Sequence, residues 1–217
     1  MVLKLYGNPM STCTKRVAMV LKEKNVPFEF VVIDFAKSEH KSPAYLEKQP
    51  FGQVPYIDDD GFILFESRAI ARYIAIKYHD QGATLLPAYG DLQGLGRFEQ
   101  GASIEAGTFD VYAGAIAFEK LFKPMRGLQT DDTKLEYFTT TLDAKLDGYE
   151  AVLSKQKYIG GDIFTLADLF HLPYGALLPK AGYNYLQDTA KRPHLARWWK
   201  EISSRPTWEA VKDNVEA

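Results

Sequence analysis

Every strand-like run in this chain ends by Phe65, and from Asp91 onward only helical periodicity remains. A sheet-bearing first half must therefore be followed by an all-helical second half. The first half alternates. Residues 1–6 read as a strand that enters the fold directly, closed by the turn residues Gly7, Asn8 and Pro9. A helix is predicted over 11–24, with Val17, Val20 and Leu21 at helical spacing and Lys15, Arg16, Lys22 and Glu23 able to face water. The continuous apolar run 28–33 has the pattern of a strand buried on both faces. Two short strands, 53–57 and 62–65, flank the hairpin turn Asp59-Asp60-Gly61, and 69–78 returns to helical period. The order βαβ, a short helical link, then ββα predicts a mixed four-stranded sheet with helices packed on it.

The second half predicts helices over 92–122, 133–153, 165–178 and 193–204. The expected division is 1–80 as an α/β domain, 81–90 as a linker carrying Gly82, Pro87 and Gly90, and 91–217 as an all-α helical bundle. One helix start is spelled out. Thr165 fits an N-cap with Asp168 three residues on, and Phe164 and Leu169 stand where a hydrophobic staple would form. Composition removes some classes of function. With 26 Lys and Arg against 28 Asp and Glu and no long basic run, nothing marks a nucleic-acid partner. No apolar stretch approaches the length of a membrane span. The single cysteine, Cys13, excludes an intrachain disulfide and a cysteine-based zinc site, and His79, His171 and His194 show no metal spacing, so no metal is expected. A reducing cytoplasm, with no leader segment, is the expected setting.

Chemistry has few places to reside. Ser11 follows strand, turn and proline and opens a helix, which makes it an N-cap. Read alone, its hydroxyl satisfies a backbone N–H. With a thiol bound nearby, the hydroxyl and the helix's positive end would both favour the thiolate. A thiol of pKa near 8.5 is only a few per cent ionised at neutral pH, and lowering that value by about two units takes roughly 2.7 kcal/mol. One charge-assisted hydrogen bond plus a helix terminus supplies that much. Pro55, inside the apolar run Gln53-Val54-Pro55, marks either an edge strand or a cis turn whose Val54 N–H and C=O are left to pair with a peptide-like ligand. Glu66-Ser67 opens a helix that can receive a carboxylate, or is an ordinary acidic cap. His40-Lys41 is a solvated pair unless it faces the same cleft, where Lys41 would neutralise a second carboxylate.

Taken together, Pro9-Met10-Ser11-Thr12, Glu39-His40-Lys41, Pro50 through Pro55 and Phe65 through Ile70 resemble glutathione transferases, most closely the phi class. The capping segment Thr165-Leu166-Ala167-Asp168 and the closing run from Arg192 to Trp208 extend that resemblance over almost the whole chain. The resemblance implies a thioredoxin-like N-terminal domain holding glutathione as co-substrate, with no covalently bound cofactor. By position, Ser11 would activate the thiol, with Thr12 beside it among the glutathione-binding residues. Gln53 and Val54 would hold the cysteinyl backbone beside cis Pro55. Glu66 and Ser67 would bind the γ-glutamyl end and His40 and Lys41 the glycyl carboxylate, with Arg68 a further glutathione-binding residue. It further implies a homodimer, conjugation of small hydrophobic electrophiles, and reduction of peroxides by the same thiolate. For the hydrophobic substrate the candidates are Met10, Thr12, Phe35, Phe118 and Phe122, with Tyr112, Tyr174 and Tyr183 behind them. Cys13 sits two residues past the activating position, about 200° around the helix from Ser11. As a small apolar filler it is inert; as a reactive thiol it would make the chain a thiol transferase. A carrier of small aromatic ligands is the other alternative.

Overall fold

Leu3, Leu5 and Gly7 are buried while Lys4 and Tyr6 between them are half-exposed, the two-residue period of strand β1 (Leu3–Gly7). The computed structural model describes residues 2–216; Met1, where the first strand-like run was expected to begin, and Ala217, the last residue of the expected helical half, lie outside the described residues. After β1 come α1 (Thr12–Glu23), β2 (Phe28–Val32), a 3₁₀ turn at Glu39–Lys41, α2 (Pro43–Leu46), β3 (Tyr56–Asp59), β4 (Phe62–Phe65) and α3 (Ser67–Lys77). The sheet is mixed, in the order β2-β1-β3-β4. β1 runs parallel to β2 and antiparallel to β3, which is antiparallel to β4. The β3–β4 hairpin turns on Asp60 and Gly61, both at positive φ (56° and 88°), as a tight two-residue Asp-Gly turn requires.

Two expectations fail here for physical reasons. The apolar run 28–33 is not buried on both faces: β2 is an edge strand, and Val32 is 56% exposed. Of the four α1 residues expected to face water, Lys15, Arg16 and Glu23 are buried and Lys22 is half-buried. Arg16 is taken up by Ser67 at the start of α3, and the chain's last segment returns over Lys15 and Glu23. Arg205 Nε and Nη2 donate to the two Glu23 carboxylate oxygens at 2.6 and 2.7 Å, and the Thr207 hydroxyl donates to the same carboxylate. Lys15 Nζ donates to the Lys212 carbonyl at 2.8 Å.

The chain accordingly divides into two compact units, Met1–Leu85 with Arg205–Ala217, and Leu86–Ser204. The segment from Arg205, which the sequence reading placed in the helical half, clusters with the sheet. The second unit carries α4 (Leu92–Ile104), α5 (Val111–Ala117), α6 (Lys123–Met125), α7 (Asp132–Leu153), α8 (Leu166–Leu169), α9 (Leu172–Gly175) and α10 (Pro193–Ser203); α11 (Pro206–Glu209) belongs to the first. The helix expected over 92–122 continues to Met125 but is interrupted by π turns at Glu105–Asp110 and Phe118–Phe122. A 3.6-residue periodicity has no means of registering a wider turn. The helix expected over 165–178 breaks into α8 and α9, since Pro173 has no N–H for a continuous ladder.

Around α8 the expected capping box is arranged, with its weight on the carboxylate. Asp168, fully buried, accepts from Thr165 N at 3.0 Å, the Thr165 hydroxyl at 3.3 Å, Ile159 N at 2.9 Å and Trp198 Nε1 at 2.8 Å. Both halves of the box are present: the Thr165 side chain faces the Asp168 N–H, and the Asp168 carboxylate accepts from the Thr165 N–H. Phe164 and Leu169, the staple pair, are both buried.

Candidate active site

Strand register brings the candidate residues of the first unit to one end of the sheet. Tyr6, near the end of β1, pairs with Tyr56 at the start of β3, and Tyr56 pairs with Phe65 at the end of β4. Gly7, the last residue of β1, is level with Val32, the last of β2. The segments leaving β1 (Met10, Ser11, Thr12), leaving β2 (Phe35, His40, Lys41), entering β3 (Gln53, Val54, Pro55) and leaving β4 (Glu66, Ser67, Arg68) therefore all emerge at this one end. They share an end because β1, β2 and β4 run one way and β3 the other.

Asn8 shapes the first segment. Its side chain donates to the Ile33 carbonyl at 3.1 Å and accepts from Met10 N at 3.0 Å, while its own N–H donates to Thr14 Oγ1 at 3.3 Å. Ser11 is thereby held as the N-cap of α1 (φ −70°, ψ 127°), half-buried, with Oγ accepting from Thr14 N at 3.3 Å. A hydroxyl that accepts from the backbone keeps its own hydrogen to donate. The opening N–H groups of the helix add positive potential beside it. Thr12 is half-buried, and Met10 is 66% exposed.

At β3 the Val54–Pro55 bond is cis. Tyr45 Oη donates to the Gln53 carbonyl at 2.6 Å, and Gln53 N donates to the buried Gln49 Oε1 at 3.1 Å. These fix the backbone of Gln53 while its side chain is exposed. Val54 packs on the cluster of Ile33, Tyr45 and Tyr56. Lys41 Nζ donates to the carbonyls of Gly52 (2.8 Å) and Phe51 (3.3 Å), tying the loop after β2 to the entry of β3. His40 lies edge-on to Phe35, ring centroids 4.7 Å apart, and its buried Nδ1 finds no hydrogen-bond partner among the described residues. Burial, reinforced by the neighbouring Lys41 charge, holds the His40 imidazole below its ordinary value.

Glu66 caps α3 at φ 70°, a conformation non-glycine residues seldom adopt. Ser67 is buried and opens the helix; Arg68 is half-buried in its first turn. The residue the sequence reading missed is Arg16. Fully buried, its Nη1 donates to Ser67 Oγ at 2.9 Å and lies 3.6 Å from Cys13 Sγ. Only its place in the second turn of the helix that Ser11 opens could have singled it out. Cys13 is half-buried in the first turn of α1.

Phe118 and Phe122 belong to the second unit, on its second π turn. Phe118 is 40% exposed beneath the Lys123 ammonium, and Phe122 is half-buried. Tyr112 stands edge-on to Tyr137, Tyr183 stacks on Tyr185, and His171 is buried against Tyr149 Oη at 2.9 Å. A hollow of about 410 Å³, lined by Lys22, Asn25, Val26, Pro27 and Phe28, lies where β2 begins, at the opposite end of the sheet, and includes none of the candidate residues. No helix among the described residues is long and apolar enough to cross a membrane.

Family models of the glutathione S-transferase N-terminal and C-terminal domains match residues 1–76 and 113–206. Glutathione S-transferase PM239X14 of Arabidopsis thaliana is 48% identical over 199 residues, covering 91% of this chain and 89% of that protein. The crystal structure of glutathione transferase F7 from Populus trichocarpa superposes with a TM-score of 0.91 at 42% identity, covering 99% of this chain and 100% of the other. Glutathione S-transferase I from mais, solved in complex with an atrazine glutathione conjugate, gives 0.86 at 36% identity, covering 98% and 97%.

Proposed function

The chain belongs to the glutathione S-transferase family, and from that premise we propose that Ser11 activates the thiol of bound glutathione for attack on hydrophobic electrophiles. The observation that carries the reading is Ser11 itself: a half-buried hydroxyl at a helix N-terminus, accepting from Thr14 N and so left to donate outward. Donation to sulfur favours the thiolate, and the helix end adds to it. The tripeptide's groups match the rest of the sheet end. The backbone of Val54 offers a strand-like edge to the cysteinyl unit, and Gln53 stands beside it. The N–H groups opening α3 favour the γ-glutamyl carboxylate, with Glu66 for its ammonium and Arg68 beside them. Lys41 and His40 suit the glycyl carboxylate.

Met10, Thr12 and Phe35 in the first unit, with Phe118 and Phe122 in the second, are the residues to which we assign discrimination among electrophiles. The same thiolate displaces alkoxide from a hydrophobic peroxide, with a second glutathione completing the reduction. The working form is a homodimer, which sedimentation would establish.

The test is Ser11→Ala. The bound thiol should titrate near pH 8.5 again, with glutathione affinity largely kept. At pH 7 its conjugation rate should fall between roughly 3-fold and 25-fold, the smaller figure allowing for the greater nucleophilicity of a more basic thiolate. The loss should shrink above pH 8.5. A thiol titration identical to the unsubstituted protein's removes Ser11 from the mechanism.

A further inference from the structure

We infer that Arg16 is a positioning residue for glutathione, coupling the helix end that activates the sulfur to the helix end that takes the γ-glutamyl group; this rests on the reading of the site given above. Arg16 cannot touch the ligand, since it is 0% exposed. Taking a guanidinium out of water is unfavourable unless its hydrogen bonds are well made. Two of its contacts lie in the opening turns of α1 and α3: Cys13 Sγ, 3.6 Å from Nη1, and Ser67 Oγ, which accepts from Nη1 at 2.9 Å. One planar cation thus spans the starts of both helices on which the sulfur and carboxylate sites are built.

Two effects on the bound tripeptide follow. A serine oxygen accepting from Arg16 must turn its hydrogen elsewhere, so Ser67 is oriented to donate, the polarity a carboxylate needs. A guanidinium carries its positive charge by nature, and a charge in a water-poor interior acts further than it would in solvent. Both anions of the bound ligand, thiolate and γ-glutamyl carboxylate, gain from a cation beneath them. Lysine would supply the charge without the planar group whose Nη1 meets both Cys13 Sγ and Ser67 Oγ.

The experiment compares Arg16→Gln, Arg16→Lys, Ser67→Ala and the double variant Arg16→Gln/Ser67→Ala. It reads glutathione KM, kcat, the titration of the bound thiol by its ultraviolet absorbance, and the melting temperature. Arg16→Gln should raise the glutathione KM roughly tenfold, the scale of one charge-assisted hydrogen bond, and move the thiol titration towards that of free glutathione. Arg16→Lys should recover the thiol titration but not the KM. The double variant should be no worse than the poorer single variant, because the two residues act as one unit. A folded Arg16→Gln protein with unaltered KM and thiol titration overturns the inference, as does full additivity with Ser67→Ala. Should Arg16→Gln fail to fold, wild-type KM in both Arg16→Lys and Ser67→Ala overturns it instead. Ser11→Ala separates the two layers. If it shifts the thiol titration while Arg16→Gln does not, the inference falls and the Ser11 reading stands. If Ser11→Ala shifts nothing, that reading falls and takes this one with it.

Discussion

Gly52 shows how closely single residues are held at the end of the sheet that carries the candidate site. Its φ is +59°, and a Cβ built on it would meet Lys41 Nζ at 2.7 Å and the His40 carbonyl at 2.9 Å. Glycine is needed there twice over, for the left-handed backbone and for the approach of the lysine that grips its carbonyl. Gly52→Ala should cost about 1–2 kcal/mol of stability and push Lys41 aside. In urea unfolding and steady-state kinetics it should appear as a lowered midpoint together with a raised glutathione KM. Unaltered kinetics would mean that Lys41 takes no part in holding the ligand. Ser11 sits in the same kind of balance: it caps α1 and, in the proposed mechanism, donates to the bound thiol, so its removal should affect both stability and rate.

Helix α8 is four residues long and could not persist by propensity alone. What holds it is Asp168, to which two backbone N–H groups, a hydroxyl and an indole donate in the interior of the second unit. Burial pushes the Asp168 carboxyl up to about 6 from its ordinary 3.8, even against those four donors. Because the folded value lies above the unfolded one, the folded state binds the extra proton between those two values. The contribution is fully present below about pH 4 and is lost as pH rises through about 6, a decline on the order of 2–3 kcal/mol. Unfolding free energies measured across that window should show the slope, and Asp168→Asn should flatten it. Asp168→Ala should be worse than Asp168→Asn, leaving four buried donors without an acceptor, at about 3 kcal/mol or more.

For the whole molecule, the chain's last segment belongs to the unit formed by its first. Trp208, Val211 and Val215 are buried, α11 packs on α1, and Arg205 forks onto the buried Glu23 carboxylate. Trp208→Ala should therefore destabilise the sheet-bearing unit by about 3–5 kcal/mol. Limited proteolysis should locate the new cleavages in residues 1–85 before 86–204. Cleavage beginning in the helical unit instead would contradict this assignment of the segment.

Local rules were enough for much of this. Periodicity marked the strands and α1, α3, α7 and α10 to within a few residues, Asp60-Gly61 announced the hairpin, and Thr165 with Asp168 announced the α8 cap. Each of these depends on residues a few positions apart. The candidate site was read as a set of motifs, with Ser11, Val54-Pro55 and Glu66-Ser67 named from turn and cap chemistry. Strand direction then brought their segments to one end of the sheet, a long-range pairing no local window contains. Arg16 and Glu23 read as water-facing because the partners that bury them are 51 and 182 residues away. Periodicity reports which side chains can share a face, whereas burial depends on what the rest of the chain lays against that face.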